Sequence, residues 1–260
     1  MPLPKGYIDS DALDKIAELL GDIKQSSYAA MDIQPSHKVF DLGCGPGTDT
    51  IPLASLVGRE GLVVGVDYDA DMLVHAQQRA EQAGVATWVR HEQADAMALP
   101  FADNYFDSAR SERVFQHLPE PTQALSELVR VTKPQGWVVI IDPDWGSFSI
   151  DSEDTDIERR IARYAASPAL NNGYSGRTLN RLFKQQGLTD IRVQTFPVTV
   201  TSNAFLRLSI QADRNEQAML EAGLLSPEEL QQWRSSQAQA DAEGVYFAAV
   251  NIILCVGRKP

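Results

Sequence analysis

Short apolar runs alternate with amphipathic stretches from residue 38 onward. The apolar runs have the length of strands, whereas the stretches between them repeat apolar residues every three to four positions, as helices do. This pattern predicts strands at 38–42, 62–67, 87–93, 106–110 and 137–142, and helices at 48–57, 70–83 and 120–132. Strands that alternate with helices in this way predict a doubly wound, mainly parallel α/β sheet.

Both ends of the chain depart from this alternation. Leu13, Ile16 and Leu20 share one face of a helix predicted over 9–23. After the fifth strand we predict helices at 156–166 and 178–186, a strand at 189–201, a helical insertion at about 202–244 and a last strand at 244–257. We therefore expect an N-terminal helical cap (1–34), an α/β core (35–150) and a remainder of the sheet (151–260) whose insertion forms a lid.

A glycine-rich segment follows the first predicted strand. Its sequence, Val39-Phe-Asp-Leu-Gly-Cys-Gly-Pro-Gly-Thr48, places glycines at 43, 45 and 47 just before a helix. Glycine suits a backbone that turns with positive φ or touches a ligand, and a helix N-terminus attracts anions. The nicotinamide-binding fingerprint needs a third glycine at position 48, where this chain has threonine. The segment therefore predicts a ligand-binding turn that departs from that fingerprint.

Acidic residues stand at or just after the ends of three successive strands, at Asp41, Asp67 and Asp95. A carboxylate at the position of Asp67 can accept hydrogen bonds from ribose hydroxyls. With Gln93-Ala-Asp-Ala-Met-Ala-Leu-Pro-Phe101 and the helix-to-strand stretch at 124–136, these residues resemble class I S-adenosylmethionine (SAM)-dependent methyltransferases over about residues 35–143. The resemblance is strongest to the small-molecule branch that holds ubiquinone, menaquinone and natural-product methyltransferases.

The resemblance implies a seven-stranded Rossmann-like sheet with an antiparallel last strand, and SAM as cofactor. It implies that the glycine loop meets the methionyl end of SAM, Asp67 the ribose and Asp95 the adenine. The implied cofactor-binding residues are Asp41, Gly43, Gly45, Gly47, Thr48, Asp67, Tyr68, Met72, Asp95, Ala96 and Ser111. The implied activity is methyl transfer to an O, N or C nucleophile of a small-molecule acceptor, such as a secondary metabolite or a quinone-like ring.

The acceptor side is less defined by the sequence. His117 is the one histidine we expect at the carboxyl edge of the sheet, where ligands bind in such folds. It is a candidate catalytic base, and positioning of SAM or the acceptor is the alternative. Tyr7, Arg113, His117 and Trp145 are the candidate substrate-binding residues. We expect no metal, because no constellation of ligands is apparent.

Composition narrows the classes of function. A formal net charge of −12 disfavours nucleic acid and anionic lipid as partners. The absence of a signal sequence or apolar span, with only Cys44 and Cys255, predicts a cytoplasmic protein with no membrane partner. The oligomeric state stays open. Two alternatives remain: a SAM-binding fold repurposed for cyclisation or binding, and a nicotinamide-dependent oxidoreductase, against which Thr48 and Asp95 argue.

Overall fold

A computed structural model describes residues 10–167 and 169–260 of the chain. The strands are β1 Lys38–Leu42, β2 Leu62–Asp67, β3 Val89–Gln93, β4 Phe106–Glu112, β5 Thr132–Ile150, β6 Thr189–Val200 and β7 Ala248–Arg258. The helices are α1 Ser10–Leu19, α2 Gly21–Ala30, α3 Thr50–Val57, α4 Ala70–Gln82, α5 Pro121–Val131, α6 Thr155–Ala166, α7 Ser175–Gln185, α8 Asn203–Ser209, α9 Ala212–Glu221 and α10 Pro227–Ala242.

The strands form one seven-stranded sheet in the order β3-β2-β1-β4-β5-β7-β6. Strands β1 to β5 pair in parallel, and β7 runs antiparallel to both of its neighbours. The predicted sheet with an antiparallel last strand is therefore confirmed. The chain reverses its direction of winding between β1 and β4, and ligands bind at such a switch point, outside the carboxyl ends of the strands.

Helices cover both faces of the sheet, and each face buries its own apolar cluster. Phe40 and Phe106 pack towards α5 and α7 on one face, while Val39 and Val63 pack towards α2 and α3 on the other. Successive residues of a strand point to opposite faces, so Val39 and Phe40 serve different clusters. Strands buried on both faces explain why the apolar runs of β1 and β2 are nearly unbroken.

Several predicted boundaries are wrong: β5 begins at Thr132 and not at 137, α7 at Ser175 and not at 178, and β7 at Ala248 and not at 244. The N-terminal helix predicted over 9–23 is two helices, because the chain turns at Leu20; α2 buries Lys24 and Ser27, so its polar sequence gives little apolar periodicity. Helix α3 begins at Thr50 and not at Thr48, because Gly47 still has φ +82°. Strand β5 runs to Ile150, since it stays paired with β7 beyond the core.

The segment between β6 and β7 contains α8, α9 and α10, so it is helical, as we predicted for this insertion. These helices share a third apolar cluster with α6 and the extended end of β5, in which Phe148, Ile161, Trp233 and Tyr246 are buried. Helix α8 also contacts α1 from the N-terminal segment. Within the part of the chain that the structure describes, no helix has the length and apolar character to cross a bilayer.

Candidate active site

The glycine loop between β1 and α3 is fixed by β2 and by the loop after β4. Gly43 and Cys44 each donate a backbone hydrogen bond to the Val66 carbonyl, at 2.7 and 2.9 Å. A Cβ on Gly43 would lie 2.1 Å from Cγ2 of Val114, and the φ of Gly43 is +73°. The loop therefore requires glycine at this position for space and for backbone conformation.

A cavity of about 460 Å³ lies over this loop at the carboxyl edge of β1, β2 and β4. It has the size of sites that hold small molecules. The structure brings ten of the predicted site residues onto its wall: Gly43, Gly45, Thr48, Asp67, Tyr68, Met72, Asp95, Ala96, Arg113 and His117. Residues far apart in the sequence thus meet in one enclosure.

Asp67, the last residue of β2, both lines the cavity and holds the loop. Its two carboxylate oxygens accept hydrogen bonds from the backbone N–H groups of Gly45 (2.8 Å) and Asp69 (2.9 Å). Burial raises the pKa of Asp67, and these two backbone donors oppose the rise. Asp95 has a similar local role, because it accepts a hydrogen bond from the Met97 N–H at 2.9 Å.

Four predicted residues do not reach the cavity wall. Gly47 sits against Ala76 of α4, where a Cβ would be 3.0 Å from the Ala76 backbone. Ser111 is buried and donates its hydroxyl to the Leu42 carbonyl at 3.0 Å. The Trp145 indole donates to Gln116 and lines neighbouring cavities. These three residues contact neighbouring elements and not the space of the cavity. Tyr7 lies outside the described residues.

Asp41, the fourth, belongs to a buried ionic cluster beneath the cavity. Arg110 reaches Asp41, Asp49 and Glu112 at 3.1, 3.1 and 2.7 Å. Lys24 of α2 reaches Asp49 at 2.7 Å and Glu112 at 2.6 Å. Three carboxylates therefore face two cations. Lys24, Asp49, Arg110 and Glu112 line the cavity, whereas Asp41 does not.

Within the cluster, the pKa values of Asp41 and Asp49 are shifted in opposite directions from their ordinary value. Burial raises the pKa of Asp41 to about 7, although Arg110 opposes the rise, and its Oδ2 atom has no hydrogen-bond partner among the described residues. Burial would also raise the pKa of Asp49, but Arg110 and Lys24 hold it below its usual range. Asp49 is therefore the permanently charged member, and it also accepts a hydrogen bond from the Tyr28 hydroxyl.

Arg113 and His117 lie on the loop that follows β4. A 3-10 turn, Phe115–His117, is held by Asp142 at the end of the core part of β5. Asp142 accepts from the backbone N–H groups of Phe115 (2.8 Å) and Gln116 (3.3 Å). Burial raises the pKa of Asp142 to about 7 despite these donors.

Sequence reasoning missed Lys24, Asp49, Arg110 and Glu112, which all line the cavity. Asp49 and Arg110 sit inside segments predicted as a helix and a strand, so they looked structural. Charged residues within otherwise apolar elements were the available signal, since charges are seldom buried without partners. Lys24 gave no such signal, because the predicted N-terminal helix ended at residue 23, one residue before it.

A protein-family model described as a methyltransferase domain matches residues 33–190. The chain belongs to this methyltransferase family. The predicted class I SAM-dependent methyltransferase, with SAM as its cofactor, is thereby confirmed, and the nicotinamide-dependent alternative gains no support.

Relatives of known sequence agree with this family. One relative is an uncharacterized 37.1 kDa protein in transposon TN4556 of Streptomyces fradiae, and the two sequences are 35% identical. The match covers 99% of this chain and 72% of the relative. This chain is also 33% identical to a demethylmenaquinone methyltransferase of Desulfitobacterium hafniense. That match covers 46% of this chain and 47% of the relative, so it spans about half of each protein.

Solved structures show the same fold. A putative methyltransferase from Bacillus halodurans superposes with a TM-score of 0.67 at 20% identity, and the match covers 92% of this chain and 100% of the other. Among the residues that the structure describes, no group of three or more His, Cys, Asp or Glu side chains is placed to hold a metal ion.

Proposed function

We propose that this methyltransferase transfers the methyl group of SAM to a small-molecule acceptor bound in the same cavity. The observation that carries the proposal is that a single cavity gathers the glycine loop, Asp67 and Asp95 from the ends of successive strands. Each of these groups suits one part of SAM, and their order along the sheet matches the order of the cofactor's parts.

The shape of the glycine loop supports this assignment. A Cβ on Gly45 would meet only Leu13 Cδ1 within 4 Å, at 3.7 Å, so the backbone of Gly45 faces open space in the cavity. We assign the methionyl part of SAM to this surface. We assign the ribose hydroxyls to Asp67, the adenine amino group to Asp95 and an apolar wall of the adenine site to Met72 and Ala96.

The ionic cluster supports a place for the methionyl ammonium. Its three carboxylates exceed its two cations by one charge when all are ionised, and Asp49 and Glu112 lie on the cavity wall. A cationic group of the ligand next to them compensates that excess charge. We therefore assign the ammonium to Asp49 and Glu112, because Asp41, which the family resemblance implied as a cofactor-binding residue, does not line the cavity.

Bound SAM supplies an electrophilic methyl group on a sulfonium sulfur. In that transfer the acceptor's lone pair would form the bond to the methyl carbon, and the pair of the broken carbon–sulfur bond would stay on sulfur. The protein's residues hold the acceptor in line and exclude water. Where the nucleophile carries a proton, we propose that His117 on the cavity wall accepts it.

The parts of the chain outside the core serve the acceptor in this proposal. Leu13 and Ala17 of α1 close one side of the cavity, and α8 of the insertion contacts α1. We propose that 1–34 acts as the cap and the insertion as the lid, which suits a small molecule better than a polymer. We also propose a cytoplasmic location, because Cys44 and Cys255 are both buried free thiols.

Calorimetry with SAM, S-adenosylhomocysteine and NAD tests the cofactor assignment. We expect both adenosyl compounds to bind in the micromolar range and NAD not to bind. Asp95→Asn keeps an acceptor for the Met97 N–H but presents a donor to the adenine amino group, so it should weaken S-adenosylhomocysteine by roughly tenfold or more. Asp190→Asn, at an exposed position of β6 with φ +49°, is the matched control and should bind normally. Binding of NAD alone would refute the proposal.

A further inference from the structure

Among the residues that the structure describes, Arg113 alone lines the cofactor cavity and both of the cavities next to it. Its side chain makes no hydrogen bond or ion pair with any residue in 10–167 or 169–260, and it is only partly exposed. Arg110, three residues earlier, is paired with three carboxylates. A guanidinium with five N–H donors and little water around it favours an oxygen-bearing anion as its partner.

The two carboxylates whose charges act on Arg113, Glu112 and Asp142, are engaged elsewhere. Glu112 binds Lys24 and Arg110. Asp142 accepts from two backbone N–H groups and from the Ser175 hydroxyl, at 3.0 Å. Burial lowers the pKa of Arg113, and Glu112 and Asp142 only partly oppose this. The surrounding protein therefore leaves the charge of Arg113 for a ligand.

The backbone holds Arg113 in place at some cost. Its φ is +58°, in the left-handed region that a side chain rarely adopts. Its N–H donates to the Ile141 carbonyl at 2.8 Å, and its own carbonyl accepts from Gln116 Nε2 at 2.9 Å. Val114 beside it fills the space over Gly43. Strained residues that their surroundings fix in this way are frequent at ligand sites.

Beyond Arg113 lies an apolar groove between α1, α8 and the extended ends of β5 and β7. Its walls include Ile16, Phe148, Phe205, Val250 and Ile252, and its volume, on the same measure as that of the cofactor cavity, is about 60 Å³. Arg113 is the one charged side chain among the described residues that line it. Arg113 is also the one described residue that the groove and the cofactor cavity have in common in their walls.

We infer, on the basis of the proposed function, that the methyl acceptor is an amphipathic oxyanion. Its carboxylate, phenolate or enolate oxygen pairs with Arg113, and its apolar body lies in the groove between α1 and α8. A fully polar acceptor leaves the groove unused, and a neutral apolar acceptor leaves the guanidinium unpaired. Only a molecule with both parts satisfies both surfaces.

Three probes separate the two parts of the inference. Octanoate carries the anion and the tail, octanamide the tail without charge, and acetate the charge without a tail. We titrate each into the chain saturated with S-adenosylhomocysteine. Octanoate should bind about tenfold or more tightly than either of the others, since a charge-assisted hydrogen bond contributes at least that factor.

Two variants assign the effect to its residues. Arg113→Gln should remove the preference for octanoate over octanamide and leave S-adenosylhomocysteine affinity unchanged. Ala249→Leu, which fills the groove from β7, should weaken octanoate and octanamide together. Arg181→Gln removes one exposed charge from α7 and should change nothing.

Four results overturn the inference: no octanoate binding at millimolar concentration, equal binding of octanamide, an unaltered preference in Arg113→Gln, or a loss of S-adenosylhomocysteine affinity in that variant. The last result would make Arg113 a cofactor ligand. Failure of the native chain to bind S-adenosylhomocysteine at all would instead refute the proposed function, so the two failures are distinguishable.

Discussion

Replacement of Lys24 by methionine is the sharpest test of the buried ionic cluster. Methionine keeps the length and apolar stem of lysine but removes the ammonium that reaches Asp49 and Glu112 at 2.7 and 2.6 Å. Three carboxylates then share Arg110 as their remaining cation. The side chains of Lys24, Asp49 and Glu112 are each about a tenth exposed, so water screens little of the resulting repulsion.

The expected loss follows from this burial. Removal of one partner from a buried ion pair costs about 3–5 kcal/mol in the free energy of unfolding. Asp49 keeps Arg110 and Tyr28, and Glu112 keeps Arg110, so we expect a loss near the lower end, about 3 kcal/mol. For a chain of this size the corresponding fall in Tm is roughly 6–12 °C.

Urea unfolding followed by far-ultraviolet circular dichroism, without ligand, measures this loss. Lys15→Met on the exposed face of α1 is the matched control and should cost under about 0.5 kcal/mol. The double variant Lys24→Met/Glu112→Gln removes one charge of each sign and should recover a large part of the stability. A loss like that of the Lys15 control, or a double variant as unstable as the single one, would show that the cluster behaves as a screened surface pair.

Three further outcomes are expected. Gly43→Ala should abolish S-adenosylhomocysteine binding in calorimetry, because its Cβ would lie 2.1 Å from Val114. The free energy of unfolding, measured in urea, should fall between about pH 6.5 and 8. Asp41 and Asp142 have pKa values raised to about 7, so their contribution is complete below the ordinary value of 3.8 and is lost as the pH passes 7. With an acceptor in hand, His117→Gln should lower kcat by roughly 10²–10⁴ at unchanged S-adenosylhomocysteine affinity.

Each of these outcomes has its own control. Gly58→Ala also replaces a glycine of positive φ, +68°, but in open space, so normal binding there separates the collision from backbone strain. Asp142→Asn should flatten the pH dependence, and a profile that rises from pH 6.5 to 8 contradicts the assignment. The window starts at pH 6.5 because burial lowers the pKa of His91 to about 4, which acts in the opposite direction below that pH. A His117→Gln effect confined to KM indicates positioning.

The core of the fold could be predicted because its sequence signals are local. Strands β1 and β2 are short apolar runs that end in turns, and both of their predicted ranges agree with the structure. The glycine loop, Asp67 and Asp95 were found since parallel strands bring their carboxyl ends to one edge, whatever their separation in sequence.

The other features of the fold and the site depend on tertiary contacts, which produce no periodic pattern of apolar residues in the sequence. The sequence does not indicate which carboxylates pair with Lys24 and Arg110. In the structure, both side chains pair with carboxylates that are distant in the sequence. Strand β5 exceeds its predicted length because β7, over a hundred residues later, continues to pair with it. Ser111 was assigned to the cofactor from its position after β4, but its hydroxyl is bound to the Leu42 carbonyl.

The antiparallel pairing of β6 and β7 has a consequence for how such a chain can diversify. Val200 and Ala248 are register partners, so the helical insertion leaves and re-enters the sheet at adjacent points. A segment with neighbouring ends can change in length and sequence without moving the strands that flank it. The residues assigned to SAM all lie before the insertion, between 43 and 112. Replacement of the insertion can therefore alter the wall that α8 contributes to the groove beside Arg113, while the residues assigned to SAM are left as they were.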